Sequence, residues 1–290
     1  MRTNLRIGEI LEDKGYVTAE QIGQALAYQK EHRDKRVGQI LMELGFVTEN
    51  QVLEALADRL HLEIVDVAQI PVDLKAVGMI NRELAEKNLI LPVSVKEHNM
   101  VLVTNDPLNY FALEEVRQQT GCHLEIQLSE EAPLKKAVSY YYAEVHARKA
   151  AKQANVGFST TDVDELENLD NPDEAPIIQL LNSLIERAIK AEASDIHIEP
   201  FEQETNVRMR IDGVVSEYVK IQKNIHGPLI ARIKILANLD IAEKRIPQDG
   251  HFRVALEDGQ QVNIRVSVLP TVFGEKAVLR IMAATSHLDH

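Results

Sequence analysis

Arg6-Ile7-Gly8-Glu9-Ile10-Leu11 returns thirty residues later as Arg36-Val37-Gly38-Gln39-Ile40-Leu41, and the correspondence continues along the chain. Gly15-Tyr16-Val17-Thr18 matches Gly45-Phe46-Val47-Thr48, Gln21-Ile22 matches Gln51-Val52, and Ala25-Leu26-Ala27 matches Ala55-Leu56-Ala57. Stacked repeat arrays generally need about three or more copies to bury a continuous core. Two copies predict a pseudo-two-fold pair instead. Such a pair is either a duplicated helical hairpin whose repeated residues only pack, or two similar halves that clasp a ligand.

Each copy reads as two helices. Ile7, Ile10 and Leu11 share one face of a short helix that Gly15 can end in a left-handed conformation. Thr18 to Gln21 and Thr48 to Gln51 have the spacing of capping boxes. The repeated Arg-Φ-Gly (Φ apolar) is unusual in a purely structural hairpin. A glycine inside a helix costs about 1 kcal/mol against alanine, yet it permits close approach of a ligand. The neighbouring arginine offers a planar, permanently charged fork for phosphate or a guanine edge, and free N–H groups at a helix start favour anions.

The full pattern, Arg-Φ-Gly-x-Φ-Φ-x-x-x-Gly-Φ-Φ-x-x-x-x-Φ-x-x-x-Φ-x-x-Gln, resembles the tandem motif of the MshEN-type cyclic di-GMP-binding domain. That domain heads many type II secretion and type IV pilus assembly ATPases. The first copy carries Arg6, Ile7, Gly8, Ile10, Leu11, Gly15, Tyr16, Val17, Ile22, Leu26 and Gln29; the second runs from Arg36, Val37 and Gly38 to Leu56. The second departs at its last position, with Arg59 where the family has Gln. Arginine can donate to the O6/N7 edge of guanine. The resemblance implies cyclic di-GMP as ligand, contacted by Arg6, Ile7, Gly8, Gln29, Arg36, Val37, Gly38 and Arg59.

The chain has 290 residues, 45% hydrophobic and 27% charged, which predicts about two ordinary globular domains. Cys122 is the only cysteine, so no intramolecular disulfide framework exists, and a reducing cytosol is expected. No signal peptide is visible, and no run approaches the roughly 18 apolar residues of a membrane span. A net charge of −13 argues against a nucleic-acid partner. The expected location is cytoplasmic, with any inner-membrane association arising through partners.

From Leu62 onward short strands alternate with helices. Strands are expected at Ile64–Val67, Leu89–Val93, Met100–Val103 and Leu124–Leu128, with helices at Leu113–Gln119 and from about Glu131 to Tyr142. Asp106 follows a strand and precedes Pro107. Its carboxylate either accepts the donors of a guanine or simply initiates a turn. This α/β unit is expected to complete a first domain over 1–145, followed by an acidic flexible linker over 146–172.

A second domain, 173–290, opens with an amphipathic helix from Pro176. Strand Ser194-Asp195-Ile196-His197-Ile198-Glu199-Pro200 alternates, as does Val207-Arg208-Met209-Arg210-Ile211. As hairpin neighbours, these strands would set acids against arginines. The alternatives are a solvated charged face and a face that serves chemistry. Asp195, His197 and Glu199 are read as charge partners rather than metal ligands, so no metal is expected. Together with Leu236 to Gly250, Ile264 to Ser267 and Leu269 to Lys276, these segments closely resemble the N2 domain of the same ATPases. The expected fold class is α/β: a tandem helical-hairpin repeat with a small α/β unit, then an α+β, PAS-like N2 domain.

The sequence contains no Gly-x-x-x-x-Gly-Lys-Ser/Thr loop; Gly274-Glu275-Lys276 reads as a strand-leading turn. The chain is therefore expected to be a fragmentary member with no catalytic residues of its own and no unaided ATP hydrolysis. The resemblance implies that Arg210, Arg265 and Arg280 assist an ATP and Mg²⁺ held by the family's catalytic domain. It also implies inner-membrane platform proteins as partners and a homo-hexamer at full length. The alternative is an adaptor that docks the ATPase to a membrane platform without binding nucleotide.

Overall fold

In the computed structural model, residues 7–157, 176–256 and 259–282 are described, and they fall into two compact units, Met1–Tyr142 and Ala143–His290. In unit 1 the duplicated sequence forms α1 (Ile7–Asp13), α2 (Ala19–Glu31), α3 (Val37–Glu43) and α4 (Glu49–Leu60). Gly15 and Gly45 take φ of 77° and 78°, the left-handed conformation that ends α1 and α3. Both capping boxes form. Thr18 and Thr48 accept from the backbone N–H groups of Gln21 and Gln51, whose side chains accept from the threonine N–H groups in return.

The two copies exchange partners. α1 packs on α4 and α2 on α3, so each cross-copy layer joins the first helix of one copy to the second helix of the other. Ile10, Leu11, Ile40, Leu41, Leu53 and Leu56 make the shared core. Leu128, from the α/β part, enters the same cluster.

That part comprises β1 (Glu63–Ile64), α5 (Leu74–Val77), α6 (Arg82–Asn88), β2 (Ile90–Lys96), β3 (Asn99–Thr104), α7 (Tyr110–Thr120) and β4 (His123–Leu128). The sheet order is β1-β4-β3-β2, with β1 and β3 parallel to β4 and β2 antiparallel to β3. β1 is shorter than expected, because only Glu63 and Ile64 pair with β4. α8 (Glu131–Gly157) runs well past the boundary expected at 145/146. Ala147, Ala150, Ala151 and Ala154 recur at helical spacing and are buried, and Ala151 and Ala154 enter the core of unit 2. The charge of this stretch suggested a linker; its alanine periodicity decides for helix. The rest of the expected linker, 158–172, lies outside the described residues.

Unit 2 adds α9 (Pro176–Lys190), β5 (Asp195–Pro200), β6 (Glu204–Ile211), β7 (Val214–Gln222), α10 (Lys223–Leu236), β8 (Gln248–Ala255), β9 (Gln261–Thr271) and β10 (Gly274–Met282). All six strands are antiparallel, in the order β7-β6-β5-β10-β9-β8. Asp212 and Gly213, both at positive φ, make the two-residue β6–β7 turn. Ile196, Ile198, Val207, Met209, Val266 and Leu279 face α9 and α10 and form the core. The alternate positions leave a second, polar sheet face.

Candidate functional site

In unit 1 the sequence singled out Arg36 and Asp106 for separate reasons, and the fold brings them together. Arg36 is the N-cap of α3, in an extended conformation with no side-chain capping bond, so its guanidinium is available. It forms an ion pair with the Asp106 carboxylate. The other Asp106 oxygen accepts from the Leu108 N–H at 3.0 Å, and the Asp106 N–H donates to Thr104 Oγ1 at 3.1 Å. Asp106 therefore initiates a turn and also reaches Arg36. Gln29 lies in the same neighbourhood, its Nε2 donating to the carbonyl of Lys35 at 3.0 Å.

Gly8 and Gly38 are buried in the first turns of α1 and α3. A methyl group on Gly8 would approach Ile22 no closer than 3.5 Å, and one on Gly38 would approach Ile7 no closer than 3.7 Å. Both are ordinary contacts, so packing within the chain does not demand glycine at either place. Ile7 and Val37 are half-buried beside these glycines. Arg59 is exposed and lines an open cleft of about 600 Å³ with Ile10, Asp13, Lys14, Asp58 and His61. Lys14 and His61 were not expected there; the packing of α1 on α4 brings Lys14, and His61 is the C-cap of α4, two residues beyond Arg59. The expected contact Arg6 lies outside the described residues.

In unit 2 a single row crosses the polar sheet face. Arg210 lies opposite Asp195, Asp195 opposite Arg280, Arg280 opposite Arg265, and Arg265 opposite His251. All three expected arginines thus share one line. Asp195 is the hub: Arg280 donates to Oδ1 at 3.2 Å, and Arg210 at 3.2 Å and the Ser194 hydroxyl at 3.1 Å donate to Oδ2. Burial pushes its carboxyl up, but the bonds from Arg280 and Ser194 outweigh this and hold it below the usual carboxylate range. Arg210 also donates to the Gly213 carbonyl at 3.0 Å. The Arg265 guanidinium has no hydrogen bond or ion pair among the described residues.

Farther along the same face, Arg208, opposite His197, and Lys276 flank Glu199 at 3.9 and 3.8 Å, the charge pairing expected for that acid. Burial, reinforced by Lys276, lowers the pKa of His197. Arg265, Arg280, His251, Ser267 and Asp249 surround an open cleft of about 500 Å³. Arg210 does not line it. Gly250 lets β8 pass close to the C-terminal end of α10, since a methyl group there would meet the Ala237 carbonyl oxygen at 2.6 Å. His251 escaped the sequence reading because only the β8–β9 register sets it opposite Arg265.

Residues 60–148 match the family model of the MshEN domain, and residues 170–289 match that of the type II/IV secretion system protein. The first match begins after the tandem repeat. Over 285 residues the chain is 32% identical to the type IV pilus assembly ATPase PilB of Myxococcus xanthus, covering 96% of this chain and 50% of that protein. Over 183 residues it is 42% identical to the type II secretion system protein E of Pectobacterium carotovorum subsp. carotovorum, covering 60% and 36%. A solved structure of MshE with cdg is 30% identical, covering 48% of this chain and 99% of that one at a TM-score of 0.44. The chain spans about half the length of the curated relatives it matches. With one family model on each unit and pilus and secretion relatives along its length, the chain belongs to the type II/IV secretion family, as an N-terminal portion of a GspE/PilB-like protein.

Proposed function

We propose that this is the regulatory and nucleotide-assisting portion of a type II secretion or type IV pilus assembly ATPase, and that unit 1 binds cyclic di-GMP. The observation that carries the reading is the Arg36–Asp106 pair. An arginine fork matches the O6/N7 acceptors of guanine, and a carboxylate matches its N–H donors, so together they can read one base. Gly8, Gly38, Ile7 and Val37 supply the close surface, and Gln29, Arg59 and Arg6 complete the ligand set. Unit 2 contributes Arg265 and Arg280, with Arg210 behind them, toward an ATP and Mg²⁺ held by the family's catalytic domain. The full-length protein acts in the cytoplasm as a homo-hexamer against inner-membrane platform proteins.

Calorimetry on the 290-residue chain tests the first part. Cyclic di-GMP should bind at low- to sub-micromolar strength and in preference to GTP. Equal, weak binding of both would remove the second-messenger reading. One observation favours an adaptor role instead: Tyr110 and Phe111 are adjacent and exposed, Phe111 at 90%. If nucleotide binding is absent and Phe111→Ala abolishes capture of a platform protein, the adaptor reading stands.

A further inference from the structure

α10 carries in adjacent interior positions the two residues least suited to a helix, Gly227 and Pro228. Packing within the chain does not call for the glycine, because a methyl group there would meet nothing within 4 Å. Together they open one wall of a groove of about 430 Å³, to which Ile230, Ala231 and Ile241 add apolar surface. Thr271 and Gly274 border it, and Val272 and Phe273 between them are exposed, Val272 at 92%. The groove is also lined by three buried polar side chains, His226, Lys234 and Glu275. Lys234 donates to Glu275 Oε1 at 2.8 Å and to the Glu243 carbonyl at 2.7 Å. The other carboxylate oxygen, Glu275 Oε2, is buried without a hydrogen bond among the described residues. His226 Nε2 donates to the Glu275 carbonyl. Burial, reinforced by Lys223, lowers the pKa of His226, and a neutral ring that donates from Nε2 accepts at Nδ1. That nitrogen too is buried without a partner among the described residues. A buried acceptor left unmatched is destabilising, so both atoms call for a donor. Lys244 stands exposed beside the groove, with no hydrogen bond or ion pair among the described residues.

An apolar groove with acceptors at its floor and an exposed apolar border suits the anchor of a protein interface. Such anchors are enriched in tryptophan, tyrosine and arginine. Arginine is opposed here by Lys234, which already holds the Glu275 carboxylate, and by Lys244. Phenylalanine fills the groove but brings no donor. We propose that this groove of unit 2 docks a partner polypeptide through a tyrosine or tryptophan flanked by acidic residues. The ring packs against Pro228, Ile230 and Ile241, its O–H or N–H meets the floor acceptors, and a neighbouring carboxylate pairs with Lys244. This does not rest on the nucleotide reading of either unit.

Blocked tripeptides titrated into the 290-residue chain, followed by the NMR shifts of the Gly227 and Ala231 amides, test it. Glu-Tyr-Glu or Glu-Trp-Glu should bind, and Glu-Phe-Glu should bind about threefold or more weakly, the worth of one hydrogen bond. Lys-Tyr-Lys should bind about twofold or more weakly than Glu-Tyr-Glu, and Lys244→Glu should reverse that order. Gly227→Leu should abolish binding while holding or raising the melting temperature, because leucine is the better helix former and has room to stand in the groove. Equal binding of the tyrosine, tryptophan and phenylalanine peptides would overturn the proposal and leave the floor acceptors to water. Full binding by Gly227→Leu, or no binding of either donor peptide, would overturn it as well. If p-cresol or indole shifts these amides and neither donor peptide does, the groove takes a small ligand and the polypeptide partner is overturned. Self-association of the chain that Gly227→Leu removes, without peptide binding, would put a second copy there instead.

Discussion

Arg36 and Asp106 meet across a partly exposed contact, with side chains 62% and 31% accessible. Ion pairs of that kind contribute about 0–1 kcal/mol to stability, since water screens them and ordering two side chains opposes them. Arg36→Ala and Asp106→Asn should therefore leave thermal unfolding nearly unchanged. Each should weaken cyclic di-GMP binding by about 1–3 kcal/mol, the worth of a specific base contact. Variants that keep wild-type affinity would reduce the pair to a turn anchor. Lys234 and Glu275 are the opposite case, with side chains 1% and 8% accessible and a 2.8 Å contact. Lys234→Met would leave a buried carboxylate unmatched and should cost about 3–5 kcal/mol in a denaturation experiment. Lys234→Met with Glu275→Leu should recover most of that loss, because the desolvation of both charges disappears together. A double variant no better than the single would mean that the pair shapes unit 2 beyond its own charges.

At the scale of elements, α1 and α3 test whether the repeated glycines pack or bind. Alanine fits at Gly8 and Gly38 with contacts of 3.5 Å and 3.7 Å. Helix propensity favours alanine by about 1 kcal/mol at an interior position. Gly8→Ala and Gly38→Ala should thus hold or raise the melting temperature while lowering cyclic di-GMP affinity; a fall in stability with affinity intact would assign the glycines to packing. These helices were legible in the sequence because their signals are local: a threonine and a glutamine three apart, a glycine at each helix end. The pairing of Asp195 with Arg210 was legible too, since the short connection from β5 to β6 makes the two strands hairpin neighbours and alternation fixes their faces. What escaped was set by long-range pairing. The exchange of partners between α1, α2, α3 and α4 has no local signature, and it alone brings Lys14 beside Arg59. β1 shrank to two residues because strand length depends on the partner, here β4. In α8 the charged residues drew the eye from four alanines on one face.

For the whole molecule, the question is what its arginine row does when a nucleotide is near. The 290 residues contain no phosphate-binding loop, and a triphosphate needs a backbone cradle, a lysine and a magnesium site before arginines can act. The polypeptide alone should show no ATP turnover above background, and joining it to a catalytic domain of its family should produce turnover. Within that fusion the three arginines are not equivalent. Arg210 is spent on Asp195 and the Gly213 carbonyl and lies outside the β8–β9 cleft. Arg280 shares Asp195 but borders the cleft, and Arg265 borders it without a partner among the described residues. A residue that stabilises developing phosphoryl charge is worth about 10³-fold or more in kcat. Arg265→Ala and Arg280→Ala should show losses of that order with KM for ATP little changed. Arg210→Ala should lower kcat far less and act mainly by loosening Arg280, so its loss should be partly rescued by Arg210→Lys, which keeps a charge on Asp195. If Arg210→Ala proves the most damaging of the three and lysine rescues nothing, the row turns its Arg210 end to the nucleotide, and the cleft at His251 serves another purpose.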